Sequence, residues 1–481
     1  MAQSKTTFTP FLKQCYVTAG VCIDVIGHGC IVGYPAILLP QLHEERSIPL
    51  TEDEGSWIAS VLGIAMLIGI FLTPPAMGRL GRKAAHYIVI MSLLAAWFIF
   101  ARASTVTELL LARILQGLSF GMFTTLRSVV IGEYTSPKNR GAFLTTISLA
   151  QGFGIMLVHL IGSFVHWKIT ALICACFSFV SLIMTIYSPE SPSWLADRGR
   201  YDECREVFRW LRGNDEEQEL AEMIEARLAL KKPTNKENRL KTVGTIILKK
   251  EFFKPCLIML HMYIVMSFSG SMTIAAYSTT IISKLTGPGT DPHMWMVALD
   301  TQRLVSNTIA IYIINRVRRR TMVFATLGLN IVSHIAIAGY VFSKYHGYLY
   351  YDAKWIAGVL LLSHYLSIAI GMVPLPAVIA GEVFPLAYRS IGGSISVAFY
   401  AAFMFLALKT FTGLVDSIEL YGTYVVYAAL LTYTLVAIWW LMPETKGKTL
   451  QEIENEFRGE VKREHEMMPL RSDVEMSCMK S

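Results

Sequence analysis

The chain has 481 residues, of which 53% are hydrophobic and only 16% are charged. A soluble protein of this length would interrupt its apolar runs with charges, so the composition excludes an ordinary soluble enzyme. The net charge of +7 does not indicate an acidic macromolecular partner, because the basic residues are divided among separate loops.

The apolar residues are grouped into long runs. A helix needs about 20 mostly apolar residues to cross a hydrocarbon core of about 30 Å. The runs are centred near residues 27, 66, 93, 120, 153, 178, 268, 305, 332, 368, 402 and 432. We therefore predict an all-α protein with twelve transmembrane helices.

Lys and Arg occur mainly in alternate loops. The loop after the second run holds Arg82 and Lys83, whereas the first loop carries Glu52, Asp53 and Glu54. Basic loops of membrane proteins stay in the cytoplasm. We therefore predict a multi-pass protein of the plasma membrane with both termini in the cytoplasm.

The first predicted helix is polar for its location. Asp24 and His28 lie four residues apart and so face the same side of the helix. A charged group inside a membrane is a candidate functional group, here for proton coupling. The competing interpretation is a structural Asp–His pair that joins two helices.

Charged residues at the cytoplasmic ends of predicted helices form another group of candidates. Glu133 ends the fourth helix, and Arg140 precedes most of the fifth. Acid and base at such ends can form a cluster that locks one conformation and breaks in the other. Arg127 lies about two turns from this face, which favours a side chain that extends to the interface over one that binds a ligand.

Residues 189–250 form one long hydrophilic stretch. Its mixture of Glu, Arg, Ala and Leu predicts two or three short amphipathic helices under the membrane. No phosphate-binding loop, metal-ligand spacing or nucleophile motif occurs, so we predict no cofactor, no enzymatic activity and no nucleic-acid partner. Residues 458–481 are charged and polar, and we expect them to be disordered.

The second half contains two helices that the sequence should interrupt. Ser267 and Ser269 belong to a serine-rich segment of the seventh run, residues 267–271. Pro374 and Pro376 should break the tenth run near mid-membrane. Broken helices around a central cavity expose backbone polar groups to a small solute.

Arg303 lies in the eighth run, three residues after Asp300. An unpaired arginine at mid-membrane costs about 2.5–3.5 kcal/mol. Arg303 is therefore expected either to pair with Asp300 or Asp24, or to hold an anionic solute. Asp300 is also a candidate for proton coupling.

Three short motifs occur twice in the same order, at offsets of 237, 249 and 254 residues. The copies are residues 78–83 and 315–320, 133–140 and 382–389, and 189–191 and 443–445. A near-constant offset indicates two similar halves that run in the same direction.

These motifs resemble those of the sugar porter family of the major facilitator superfamily. The matching residues are Arg113, Glu133 with Arg140, residues 189–195, Glu382 with Arg389, and residues 443–447. Residues 50–57 and 409–411 resemble, more narrowly, insect facilitative trehalose transporters. The resemblance extends from about residue 15 to residue 457.

The resemblance implies a facilitative uniporter for trehalose or a hexose that works by alternating access as a monomer in the lipid bilayer. It implies six-helix bundles over residues 1–188 and 251–457, joined by the cytoplasmic linker 189–250. The implied gating residues are Arg82, Arg113, Glu133, Arg140, Glu190, Arg319, Glu382, Arg389 and Glu444. The implied substrate-binding residues are Ser148, Gln151, Ser267, Ser269, Tyr277, Arg303, Pro374 and Pro376.

Several positions depart from the family pattern. The acids that follow the second and eighth spans fall on Gly78 and Asn315, and sugar-binding amides fall on Met266, Met272 and Arg303. Each buried sugar hydroxyl without a partner costs about 1–3 kcal/mol. The pattern thus preserves the gating residues and disfavours an ordinary hexose site.

Two other functions stay open. One is a sensor that binds a sugar without transporting it, which a longer cytoplasmic tail would favour. The other is an organic-anion or proton-coupled carrier that uses Asp24, His28, Asp300 and Arg303. A current or a pH change on addition of the solute would distinguish this carrier from a uniporter.

Overall fold

A computed structural model describes residues 8–214, 216–230, 249–287, 289–349, 354–385, 389–448 and 450–458, most of them helical. The helices of the first half are α1 (Phe8–Gly33), α2 (Pro35–Glu45), α3 (Glu52–Leu80), α4 (Arg82–Arg102), α5 (Val106–Tyr134), α6 (Pro137–Gly162) and α7 (Trp167–Tyr187). Within this half α3 packs on α5, α1 packs on α6, and α4 contacts both α5 and α7.

Local sequence signals set the beginnings of two long helices. Thr51 and Thr105 cap α3 and α5, because each hydroxyl accepts a hydrogen bond from the amide three residues later, at 3.2 and 3.3 Å. Glu54 and Glu108 accept a bond from the cap backbone in return, which completes a capping box at each helix. The acidic residues of the first loop therefore begin α3.

Three short helices follow the first half. They are α8 (Pro192–Asp197), α9 (Tyr201–Arg212) and α10 (Glu217–Leu230). Leu195, Cys204, Phe208 and Leu220 form a small apolar core among them, and burial raises the pKa of the Cys204 thiol to about 11. The predicted short amphipathic helices are confirmed, while residues 231–248 of the linker lie outside the described part.

The second half contains α11 (Lys250–Phe268), α12 (Ser271–Thr286), α13 (Pro292–Arg316), α14 (Arg319–Tyr345), α15 (Lys354–Ser367), α16 (Pro374–Val383), α17 (Arg389–Leu441) and α18 (Leu450–Arg458). Here α17 packs on α11 and α14. The predicted tail beyond residue 458 lies outside the described residues.

Within the described residues, ten helical segments are long and apolar enough to cross a membrane. The 25-residue α13 is also long enough, although Asp300 and Arg303 make it more polar. The 53-residue α17 loses helical geometry at Ile418 and Glu419, so it accounts for two spans. These segments together are the twelve spans that the sequence predicts.

Two spans of the second half are broken at the expected places. Gly270, with a φ of 94°, separates α11 from α12. A π-helical turn (Ile368–Met372) joins α15 to α16, which begins at Pro374. At the first break the carbonyl oxygen of Ser269 lies 2.8 Å from Nε2 of His364, so a freed backbone group meets a side chain of the other broken span.

The two halves contact each other at the end of the bundle that holds the loop between α2 and α3. Asp53 and Lys409 form an ion pair of 2.5 Å, and the Lys409 ammonium lies 4.5 Å from the ring centroid of Trp57. Deeper in the bundle, a Cβ atom added to Gly63 would lie 2.8 Å from the carbonyl oxygen of Ala401. The contact continues toward the middle through α6 and α13. We call this end the outer end, following the predicted topology.

Candidate functional site

At the inner end of the first half, Arg82 and Glu133 form a bidentate ion pair. Nε and Nη2 of Arg82 lie 2.8 and 2.6 Å from the two carboxylate oxygens of Glu133, and the Ser191 hydroxyl donates to the same carboxylate at 2.5 Å. Glu190 accepts from the backbone amides of Arg82 and Lys83, at 2.8 and 3.2 Å, where the start of α4 favours a negative charge. We call Arg82, Glu133, Glu190 and Ser191 the first charge cluster.

The second half repeats this arrangement. Nε and Nη2 of Arg319 each lie 3.0 Å from Oε1 of Glu382, and the Thr445 hydroxyl donates to Glu382 at 2.5 Å. Glu444 accepts from the backbone amides of Arg319 and Arg320 at 3.0 and 3.2 Å. We call Arg319, Glu382, Glu444 and Thr445 the second charge cluster. The repeated motifs of the sequence therefore form repeated contacts.

Each cluster is formed within one half. No hydrogen bond or ion pair that the structure describes joins the first charge cluster to the second, whereas the outer ends of the halves are in contact. Both pairs are intact in this structure, and a lock that breaks in the other conformation stays a prediction. Arg140 donates to the Thr135 carbonyl at 3.4 Å and has no ion pair among the described residues. The side chain of Arg389 lies outside the described part.

Arg113 has a different environment from the other predicted gating residues. It lies near the outer end of α5, far along the helix from Glu133. Its buried guanidinium donates to the carbonyl oxygens of Ile31 and Ile58 at 2.9 and 2.8 Å, and to the side chain of Gln116 at 2.9 Å. These bonds join α1, α3 and α5 in this conformation, and the gating role of Arg113 stays a prediction.

Arg303 lies near the middle of α13 with 7% of its surface exposed. It forms no hydrogen bond or ion pair with any described residue, and its Nε atom is buried without a partner. Asp300 lies 2.5 Å from Nδ1 of His159 on α6 instead, and Asp24 lies 3.1 Å from His86 within the first half. Neither of the two expected ion pairs of Arg303 is therefore formed.

A second arginine reaches the same region. Nη1 of Arg127 on α5 donates to the side-chain oxygen of Gln151 on α6 at 3.2 Å. Arg127 and Arg303 both lie close enough to the phenol of Tyr400 on α17 to act on it electrostatically. Gly152 and Leu304, which follow Gln151 and Arg303 in the chain, also approach each other. A Cβ atom added to Gly152 would lie 3.1 Å from the Leu304 side chain. Arg127 thus turns inward, and the prediction of a side chain that extends to the interface is wrong.

We call Arg127 and Arg303 the central arginines, and Arg127, Gln151, Arg303 and Tyr400 the central site. The four side chains come from α5, α6, α13 and α17, which belong to both halves. The central site adjoins the contact between the halves, where α6 meets α13. A solute bound there would touch both halves at once.

The remaining predicted binding residues of the second half lie at its two broken spans. Ser267 is buried near the end of α11, and its hydroxyl has no partner among the described residues. The Ser269 hydroxyl donates to a carbonyl of the last turn of α11 at 3.2 Å. Pro374 and Pro376 begin α16. In the first half, Ser148 is exposed on α6.

Tyr277 lines a cleft of about 480 Å³ at the outer end, between α2, α3, α12 and α17. Its ring stacks on that of Phe411 with a centroid distance of 5.1 Å. Its hydroxyl donates to the Leu408 carbonyl at 3.4 Å. The aromatic pair therefore forms part of the wall between α12 and α17 at the outer end, away from the charge clusters.

Asp24 and His28 belong to a buried polar group within the first half. Oδ2 of Asp24 lies 3.1 Å from Nε2 of His86, and the Thr185 hydroxyl lies 3.3 Å from the other ring nitrogen of His86. His28 contacts the Asp24 carbonyl oxygen at 2.8 Å and the Ser119 hydroxyl at 3.0 Å. These contacts join α1, α4, α5 and α7 and favour the structural interpretation, while proton coupling through Asp24 stays a prediction.

The comparisons with known proteins agree with this arrangement. Residues 28–457 match the model of the family described as Sugar (and other) transporter. The chain belongs to this family. Its members are transporters rather than enzymes, and the twelve spans and the two repeated halves of this transporter are those of the major facilitator fold.

Three relatives are insect proteins named facilitated trehalose transporter Tret1. The transporter is 26% identical to the protein from Culex quinquefasciatus over 462 residues, which covers 96% of this chain and 88% of that relative. It is 26% identical to the protein from Apis mellifera ligustica, with coverages of 91% and 86%. It spans only 57% of the longer relative from Aedes aegypti, again at 26% identity.

Solved structures support the fold. The transporter superposes on the inward-open xylose transporter XylE from E. coli with a TM-score of 0.75 at 18% identity, over 92% of this chain and 99% of the other. A peptide transporter POT superposes with a TM-score of 0.61 at 14% identity, over 88% and 94% of the two chains. Similarity at these identities establishes the architecture alone.

Sequence reasoning missed several residues of this region. His86, His159 and Tyr400 lie inside apolar runs and were not singled out, and Arg127 was assigned to the interface. A histidine or arginine within an apolar run is itself a signal, because such a group needs a polar neighbour. That neighbour lies on a distant helix in each case, so the sequence does not reveal which group it is.

Proposed function

We propose that the protein is a facilitative uniporter that moves a small sugar across the plasma membrane by alternating access. The observation that carries this proposal is the relation of the two halves, which contact each other at the outer end and keep separate charge clusters at the inner end. The names of the relatives support a solute of the trehalose or hexose class. One chain contains both halves of the path, so the proposed functional unit is a monomer.

The proposed cycle opens the outer contact and brings the inner ends together. The six-helix bundles would comprise residues 1–188 and 251–457. The Asp53–Lys409 and His159–Asp300 pairs join the halves and must break when the outer end opens. The charge clusters join elements of one half, so they would move with that half as rigid units.

The proposal also includes an orientation. Both termini and the linker of residues 189–250 would face the cytoplasm, as the basic loops indicate. Epitope tags placed after Lys5 or within residues 231–241 should be stained only in permeabilised cells. Staining of intact cells would reverse the orientation and with it the meaning of the inner and outer ends.

Uptake of labelled trehalose and glucose into proteoliposomes tests the transport proposal. Gly63→Trp provides a variant that should not transport, because its side chain would collide with Ala401 and Phe405 and prevent outer closure. Gly339→Trp is the matched control, since no atom lies within 4 Å of a Cβ added there. We expect saturable uptake by the wild type and by Gly339→Trp, and background uptake by Gly63→Trp. Equal uptake by both variants would contradict the proposed outer closure.

A further inference from the structure

We propose that the solute carried by this protein bears an oxyanion, a carboxylate or a phosphate, which the central arginines bind where the two halves meet. The inference rests on the proposed transport function and specifies its solute as an anionic sugar. It differs from the neutral trehalose or hexose that the relatives suggest.

Arg303 is a largely buried cation without a described partner. Only 7% of the surface of Arg303 is exposed, and its Nε atom is buried without a partner among the described residues. The two acids expected to pair with Arg303 are already engaged, since Asp300 contacts His159 and Asp24 contacts His86. Buried charges in proteins are normally paired, so this guanidinium requires an acceptor that the described chain does not supply.

A second cation, Arg127, reaches the central site. Arg127 approaches from α5, and its described hydrogen bond is to the neutral amide of Gln151. Gln151 precedes Gly152, which approaches Leu304 next to Arg303, so both cations lie near the contact between the halves. An anion placed between them would meet positive charge from each half.

The donors of a guanidinium group match the acceptors of an oxyanion. A guanidinium offers planar, paired N–H donors that fit a carboxylate or a phosphate, whereas a sugar hydroxyl uses only one of them. The Tyr400 hydroxyl lies 3.6 Å from the sulfur of Met272, a weak partner that a solute can displace. The Gln151 amide provides further hydrogen-bonding atoms beside it. The central site can thus hold an oxyanion together with hydroxyls.

The site also relates binding to movement. Arg127 and Gln151 belong to the first half, and Arg303 and Tyr400 belong to the second. An anion bound by both arginines favours conformations in which the two halves are close at this level. The same contact that selects the solute would therefore favour the occluded state of the transport cycle.

Counterflow in proteoliposomes tests the inference with three solutes that share one ring: glucose, glucuronate and glucose 6-phosphate. The wild type should exchange glucuronate or glucose 6-phosphate in preference to glucose, and the preferred anion identifies carboxylate or phosphate as the group. Arg303→Gln should lower this exchange by at least about tenfold, the ratio that corresponds to 1.4 kcal/mol. Arg303→Lys should retain part of it.

Arg316→Gln is the matched control, because it removes the same charge from an exposed position on the same helix. It should leave anion exchange unchanged. Arg127→Gln provides an independent variant if Arg303→Gln is not obtained as folded protein. Thermal stabilisation of the purified wild type by each of the three solutes measures binding without transport.

The outcomes separate the two proposals. Exchange of glucose without exchange or binding of either anion would overturn the inference and leave the transport function intact. Binding of an anion that depends on Arg303, with no exchange of any solute, would support the inference and overturn transport. If nothing is bound and nothing is exchanged, both proposals are overturned.

Discussion

The charge clusters and the central site contain arginines in opposite states. Arg82 and Arg319 are partly buried, and each has a carboxylate partner within its own half. Arg127 and Arg303 have no carboxylate partner among the described residues, although Arg303 is at least as buried. Arginine therefore forms an ion pair in each charge cluster, whereas in the central site its charge has no carboxylate partner among the described residues.

The sequence repeat shows the same division. The clusters occupy equivalent positions in both halves, but the residue 249 positions after Arg127 is Pro376, and the residue 237 positions before Arg303 is Met66. The charge clusters are therefore present in both copies, whereas each central arginine occurs in one copy only.

The largest expected effect comes from removing an acid of a cluster. Glu133→Gln or Glu382→Gln leaves a partly buried arginine without its charged partner, so the free energy of unfolding should fall by about 2–3 kcal/mol. Unfolding in SDS measures this change. Glu419→Gln is the control, since its pair with Lys284 is long, at 3.8 Å, and exposed. A loss in only one half would show that the two clusters are not equivalent.

Replacement of a central arginine should raise the free energy of unfolding. Arg303→Met removes a buried charge that has no described partner, so we expect stability without solute to rise by about 2 kcal/mol. Arg319→Met in the second charge cluster should lower it. The same unfolding assay measures both variants. A loss of stability in Arg303→Met would mean that Arg303 holds the fold together.

The contact between the halves should respond through conformation. Asp300→Asn removes the charge partner of His159 at the outer end, which weakens outer closure by about 1–2 kcal/mol. A cysteine introduced at Thr280, which lines the outer cleft, should then react faster with a membrane-impermeant maleimide. Asp416→Asn, in the same cleft, serves as the control. Equal rates in the two variants would exclude the His159–Asp300 pair from outer closure.

The smallest effect concerns the hydroxyls that complete the clusters. Ser191→Ala and Thr445→Ala each remove one hydrogen bond to a cluster carboxylate that keeps its arginine. Each change should cost about 1 kcal/mol in the free energy of unfolding. Similar losses of unfolding free energy in the two variants would show that Ser191 and Thr445 are equivalent. A loss in only one variant would show that the equivalence holds for the charged residues alone.

The fold could be predicted from the sequence because its signals are local. Apolar runs gave the twelve spans, and the repeated motifs indicated two similar halves. The breaks at Gly270 and Pro374 also occur at residues that disfavour the interior of a helix. Even the partner acids of the clusters, Glu133 and Glu382, were identified by their position at helix ends.

The central site could be predicted only in part, because its contacts join helices that are distant in sequence. The spacing of Asp300 and Arg303 suggested an ion pair, but Asp300 contacts His159, which lies 141 residues earlier. The depth of Arg127 suggested an interfacial side chain, but Gln151 holds it inward. Spacing along one helix cannot show which neighbouring helix supplies the better partner.

The position of a bound solute tests the central claim most directly. A cryo-EM map of the purified protein with saturating glucuronate should show density for the ring between Arg127, Arg303 and Tyr400, with the carboxylate at hydrogen-bond distance from both guanidinium groups. Density elsewhere in the bundle, with Arg303 turned to a protein carboxylate, would contradict the account.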